Sequence, residues 1–97
     1  MARDGSSQDE YFFDDKSFLK CLGVAIRKLR VEQRMTQKQL GDLCGLTRTY
    51  VCILERTPHN LSFGNLLRVA EALNVPPSYL LQVAEELHAK SSASAAE

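Results

Sequence analysis

The side chains whose types and spacing point most directly to chemistry are Arg48, Thr49 and Cys52, which follow Thr47. In a helix capped by Thr47, all three would lie on the exposed surface of the first turns. An Arg48 guanidinium can donate two parallel hydrogen bonds to guanine O6 and N7, and a Thr49 methyl can contact a thymine methyl. Cys52 would distinguish little more than the shape of the neighbouring base, and the alternative is a surface cysteine without a role in binding. This pattern predicts base contacts in a DNA groove.

Polar residues on either side of this segment suit the anionic DNA backbone. Gln37 and Thr47 stand at predicted helix starts, where the Gln37 side-chain amide and the free backbone N–H groups favour a phosphate. Further phosphate contacts are predicted from Lys38, Arg56, His59 and Asn60. For Lys38 the alternative is a solvated surface residue, and His59 has no second ligand at metal spacing. We expect no metal and no cofactor.

The charges are segregated along the chain although the net charge is zero. Residues 1–15 carry a net charge of −4, residues 16–60 carry +6 and residues 61–97 carry −2. A basic block between acidic flanks is consistent with one face that meets an anion, although an ordinary solvated helix face would look the same.

The elements that must position these residues are predicted to be short helices. Apolar residues recur at helical spacing from Phe18, and Thr36, Thr47 and Ser62 each precede such a segment as a predicted N-cap. Gly45 can end the second helix in the left-handed conformation, and a fifth helix is predicted over about residues 77–89. No segment has strand periodicity, so the fold class is all-α.

The segment from about 36 to 56 has the pattern of two short helices that cross closely. Small Gly41 suits the point where two backbones approach, and Gly45 suits the turn. Apolar residues anchor both inner faces: Leu40, Cys44, Leu46, Val51 and Leu54. This is a helix-turn-helix signature, and its structural alternative is an ordinary helical hairpin with the same packing needs.

The run from Leu22 to about Leu81 also resembles a known family, most clearly in the pieces IRKLR, MTQKQL, RTYVCILER and ALNVPPSYL. It is similar to the lambda-repressor-like, XRE-type helix-turn-helix regulators, with some resemblance to restriction–modification controller proteins. The resemblance implies a five-helix domain, usually dimeric, that binds an operator and switches transcription. Gly41 and Thr57 depart from the family, which more often has Ala and Gly there.

Arg30 and Glu55 call for a separate explanation, because both fall on helix faces that are otherwise apolar. A charge at such a position is costly unless it is paired, so we predict that they pair with each other. The resemblance implies the same structural bridge. Arg30 would then stabilise the fold and would not contact DNA.

One recognition helix makes few base contacts, so operators are commonly read by dimers. The fifth helix offers more apolar surface than one small core should absorb, and the predicted dimer face is Tyr79, Leu80, Val83 and Leu87. The alternative is that this helix only closes the bundle.

Length and composition limit the remaining possibilities. A chain of 97 residues fits one small domain, placed at residues 17–90, between an acidic and aromatic arm (1–16), expected to be mobile, and a flexible tail (91–97). It contains no apolar run long enough to span a membrane, no small-molecule site and no pattern of catalytic residues, so we expect no enzyme. Three cysteines without metal spacing indicate a reduced, cytoplasmic protein.

Two functions remain in competition. The first is a regulator that binds double-stranded operator DNA in a sequence-specific manner, as a homodimer. The second is a protein-interaction module on the same scaffold, such as an antitoxin or an adaptor. The arm from Asp9 to Asp15 favours the second, because it could occupy a basic cleft of a partner.

Overall fold

The computed structural model describes the backbone of residues 15–96 and the side chains of residues 16–91. This part of the chain forms five helices and no strand: α1 (Asp15–Glu32), α2 (Gln37–Cys44), α3 (Arg48–Arg56), α4 (Phe63–Ala72) and α5 (Pro77–Ala96). The predicted all-α fold class is confirmed. The predicted arm lies almost entirely outside the described residues.

Three of the helices begin at the hydroxyl side chains that the sequence marks as N-caps. Thr36 Oγ1 accepts a hydrogen bond from the Gln39 backbone N–H, and the Gln39 side chain accepts one from the Thr36 N–H, which completes a capping box. Thr47 and Ser62 cap α3 and α4 with their hydroxyl oxygens, which accept hydrogen bonds from the backbone N–H groups of Tyr50 and Asn65. These caps fix where the helices that carry the candidate site begin.

The core is built from the inward faces of all five helices. Its fully buried large side chains are Ile26, Leu40, Val51, Val69, Leu73 and Leu80. α2 and α3 pack against each other, α1 packs against α3 and α5, and α4 packs against α2 and α5. The pair α2–α3 is therefore held by the rest of the bundle and presents its outer side to solvent.

Gly41 lies where the chain after α2 comes back close to that helix. A Cβ placed on Gly41 would be 2.5 Å from the carbonyl oxygen of Leu46, which is too close for any side chain without a backbone shift. The turn between them passes through Gly45, whose φ is 73°. Glycine at position 41 therefore permits this close approach.

The last helix is longer than predicted. α5 ends at Ala96, whereas the sequence analysis ended it near residue 89 and treated residues 91–97 as a tail. The segment after Lys90 contains only Ser, Ala and a final Glu, so neither Gly nor Pro interrupts the helix, and Ala has the highest helix propensity. None of the described helices is long and apolar enough to cross a membrane.

Candidate nucleic-acid interface

The outward surface of α3 is defined by the residues that it buries. Val51, Leu54 and Glu55 are buried against the bundle. Because successive residues of an α-helix are rotated by about 100°, Thr49 and Ile53 then face away from the core. Of the predicted base-contact residues, Arg48 and Thr49 are exposed and Cys52 is half-buried. Ile53 is also exposed, although its apolar type did not mark it as a candidate in the sequence.

Both ends of α3 are held by threonine side chains. Thr47 Oγ1 accepts a hydrogen bond from the Tyr50 N–H at 3.0 Å, which leaves the hydroxyl proton of Thr47 available to a phosphate. At the other end, the Thr57 N–H and hydroxyl both donate to the carbonyl oxygen of Ile53, at 3.1 and 2.9 Å. Thr57 is extended, with φ of −129°, so this position does not require the glycine of the family pattern.

At the start of α2, Gln37 and Lys38 have side-chain partners within the domain. The Gln37 amide donates to Glu55 Oε1 at 3.1 Å, so the predicted phosphate contact of Gln37 is better assigned to its backbone N–H at the helix start. Lys38 is exposed and pairs with Asp42 at 2.9 Å. Exposed pairs of this kind are weak, so Lys38 can exchange its partner for a phosphate at small cost.

The loop after α3 is tied to that helix by a polar cluster, the Tyr50 cluster, made of Tyr50, His59 and Asn65. The Tyr50 hydroxyl lies 3.1 Å from His59 Nε2 and accepts a hydrogen bond from the Asn65 amide at 3.3 Å. The His59 ring packs edge-on against the Tyr50 ring, with 5.2 Å between centroids. Asn60, the neighbour of His59, is exposed. The cluster therefore holds the loop that carries two of the predicted phosphate contacts.

Arg30 and Glu55 meet in the interior between α1 and α3. Arg30 Nε and Nη2 donate to the two Glu55 carboxylate oxygens at 2.6 and 3.0 Å, and Arg30 Nη1 donates to the Met35 carbonyl at 2.6 Å. Both residues are buried, at 8% and 6% exposure. The hydrogen bond to Glu55 raises the pKa of Arg30 above its ordinary value. Arg30 is therefore withdrawn from the surface, as the sequence analysis expected.

The remaining positive charge of the basic block lies on the surface. Its three acidic residues each pair with one base: Glu32 with Lys28, Asp42 with Lys38, and Glu55 with Arg30. Among the side chains of residues 16–91, the other six bases of the block have no carboxylate partner and are all exposed: Lys16, Lys20, Arg27, Arg34, Arg48 and Arg56. The candidate interface holds two of them, both on α3.

The three cysteines are free thiols. Cys44 is buried in the core, where its Sγ donates to the Leu40 carbonyl at 3.1 Å, and burial raises the pKa of this thiol. Cys44 is therefore a core residue without a role at the surface.

The predicted dimer face needs a correction. Leu80 is fully buried and Val83 is only 7% exposed, because both pack into the core of a single chain. Leu87 is partly buried and packs against the same core. Of the four predicted residues only Tyr79 is well exposed, at 43%. The apolar surplus of the fifth helix is thus mostly absorbed within its own bundle.

A further apolar surface lies at the junction of α4 and α5. Leu67 on α4 is 40% exposed, and it lines a shallow surface cavity of about 390 Å³ together with Val75 and Pro77.

Comparison with known proteins places this arrangement among DNA-binding regulators. A family model described as helix-turn-helix matches residues 26–80. The control protein C.BamHI of Bacillus amyloliquefaciens is 37% identical over 60 residues, which are 61% of this chain and 74% of that protein. A hypothetical transcription factor of Neisseria meningitidis serogroup B is 34% identical over 73 residues, which are 75% of this chain and 69% of that protein.

A solved structure agrees with the same assignment. The restriction-modification controller protein C.AhdI from Aeromonas hydrophila superposes with a TM-score of 0.62 and 39% sequence identity. The superposition covers 64% of this chain and 94% of the controller protein.

Proposed function

The chain belongs to the XRE-type helix-turn-helix family of transcriptional regulators, and we propose that it binds a specific operator in double-stranded DNA by placing α3 in the major groove. The observation that carries this proposal is the outward surface of α3. That surface presents an exposed Arg48 and Thr49 at its first turn and an exposed Arg56 at its last turn. No carboxylate among residues 16–91 neutralises either arginine.

The residues of the interface divide into two groups with different consequences. Arg48, Thr49 and Cys52 are proposed to contact base edges, because they lie on the first turns of α3, where a recognition helix meets the groove. The second group is proposed to contact phosphates and to set the orientation of the domain: Gln37 through its backbone, Lys38, Thr47, Arg56, His59 and Asn60.

A dimer is the second part of the proposal. Two copies related by a two-fold axis would place two α3 helices in successive major grooves, about 34 Å apart. The proposed face is the exposed part of the α4–α5 region, with Tyr79 on α5 and the surface around Leu67 on α4. Leu80 and Val83 are not part of it.

The experiment that tests the proposal is selection of bound sequences from a random duplex library, followed by mobility-shift titration of the enriched duplex. A sequence-specific dimer should enrich two related half-sites about one helical turn apart. The logarithm of its affinity should fall linearly with the logarithm of the salt concentration, with a slope of about −0.9 for each phosphate that the protein neutralises. A library that stays random after selection would contradict the proposal.

The competing function, a protein-interaction module, depends on the acidic and aromatic arm, which lies outside the described residues. The same titration separates the two functions. A pure interaction module would shift no duplex at low salt, whereas a regulator of this kind would shift the enriched one.

A further inference from the structure

Ile53 is an exposed apolar side chain on the proposed DNA-binding helix. It is 41% exposed, although Val51 and Leu54 on either side of it are buried. No other side chain of α3 is both aliphatic and exposed. Covering such an exposed aliphatic side chain with an apolar partner lowers the free energy of the system.

The geometry of α3 places Ile53 next to the residues proposed to read bases. Ile53 follows Thr49 by four residues, so the two side chains are neighbours on one face of the helix. Rotation of about 100° per residue puts Ile53 closer than Cys52 to the direction opposite the buried face. Ile53 therefore faces the groove more directly than the cysteine that the sequence analysis selected.

The backbone at Ile53 is also fixed. Its carbonyl oxygen accepts hydrogen bonds from both the N–H and the hydroxyl of Thr57. A branched side chain on a restrained backbone has few rotamers, so its two methyl-bearing arms occupy a defined place on the helix surface.

We propose that Ile53 is a specificity-determining residue that contacts the 5-methyl group of a thymine in each half-site. Thymine is the one base of unmodified DNA that presents a methyl group in the major groove, and aliphatic side chains recognise it by apolar contact. The inference rests on the proposed function and deepens it, because it assigns a base contact to a side chain of α3 that cannot form a hydrogen bond.

The test removes single methyl groups from the DNA. In the duplex selected from the library, each thymine is replaced in turn by uracil, which lacks only the 5-methyl group. The affinity of each duplex is measured by fluorescence anisotropy at fixed salt for the wild type, Ile53→Ala and Leu43→Ala. The Leu43→Ala variant is the matched control, because it shortens an exposed aliphatic side chain on α2 that is not among the proposed DNA contacts.

For the wild type, uracil at one position of a half-site should weaken binding about fourfold, the value of one buried methyl group. Ile53→Ala should lose this sensitivity at that position alone and keep any sensitivity at other thymines, while Leu43→Ala should behave as the wild type. The proposal is overturned if Ile53→Ala shows the same uracil penalty as the wild type, or if no thymine is sensitive.

The outcome is separable from that of the proposed function. If Arg48→Ala loses a guanine preference on these duplexes while uracil has no effect, the proposed function as a DNA-binding regulator is supported. Only the role of Ile53 is then overturned. If the wild type prefers no duplex at all, both fail together at the selection step.

Discussion

At the residue scale, the buried Arg30–Glu55 pair is the feature on which the position of α3 depends most. We expect Arg30→Ala to lower the free energy of unfolding by about 3–5 kcal/mol, because it leaves the Glu55 carboxylate in the interior with Gln37 as its remaining donor. Chemical denaturation followed by circular dichroism measures the change.

The matched control is Lys38→Ala, which breaks an ion pair whose side chains are 72% and 65% exposed. Its expected cost is below about 0.5 kcal/mol. Because the pKa of Arg30 is raised, the stabilisation from its pairing is fully present at any pH below the ordinary pKa of arginine. It is lost only at more alkaline pH, as Arg30 loses its proton. Equal losses in the two variants would contradict the assignment of Arg30 and Glu55 as a buried ion pair.

Single residues could be predicted from sequence where one position carries the whole signal. Arg30 and Glu55 each interrupt an apolar face, so their burial and their pairing follow from the cost of an isolated charge. The Tyr50 cluster could not be predicted, because it depends on how the loop after α3 folds back. The side-chain hydrogen bond from Gln37 to Glu55 was not visible in the spacing either, because it joins two different helices.

At the scale of elements, the junction of α2 and α3 depends on Gly41. Gly41→Ala should destabilise the domain by about 1–3 kcal/mol, because the added methyl group would overlap the Leu46 carbonyl and push the two helices apart. Gly64→Ala is the matched control: Gly64 lies in α4 with nothing within 4 Å of a Cβ. That variant should stabilise by about 0.4–1 kcal/mol. Thermal unfolding of both variants gives the comparison, and a neutral Gly41→Ala would contradict the close approach.

The starts of α2, α3 and α4 could be predicted because an N-cap is a local device, in which a hydroxyl satisfies backbone groups two or three residues away. The close approach at Gly23 was missed. A Cβ there would overlap the Leu54 carbonyl of α3, but the contact joins residues far apart in sequence. The end of α5 was misjudged because small residues were taken as a sign of irregular structure.

At the scale of the whole molecule, the proposed dimer can be tested on side chains that the fold does not need. A Tyr79→Glu, Leu67→Glu double variant should shift the sedimentation coefficient from dimer to monomer, because two desolvated carboxylates would oppose association. Leu43→Glu is the control: Leu43 is 64% exposed and lies on α2. A double variant that remains dimeric at the same concentration would place the interface elsewhere.

The sequence could not identify this face, because a helical repeat shows which residues share a face but not what covers them. Leu80, Val83 and Leu87 recur at the spacing expected of either a core or an interface. In the fold they pack against their own bundle. A substitution at Leu87 would therefore disturb the core as well as any dimer, which makes Tyr79 and Leu67 the cleaner test.

The central claim is that α3 reads bases while its flanks hold phosphates. The most direct measurement is the affinity of Arg48→Ala and Arg56→Ala for a panel of operators that differ by single base pairs, at fixed salt. Arg48→Ala should lose about 1–3 kcal/mol of discrimination at one guanine per half-site. Arg56→Ala should weaken all operators by the same factor and keep their ranking. If Arg48→Ala instead lowers every affinity equally, Arg48 is a phosphate contact and the proposed reading of guanine by α3 is wrong.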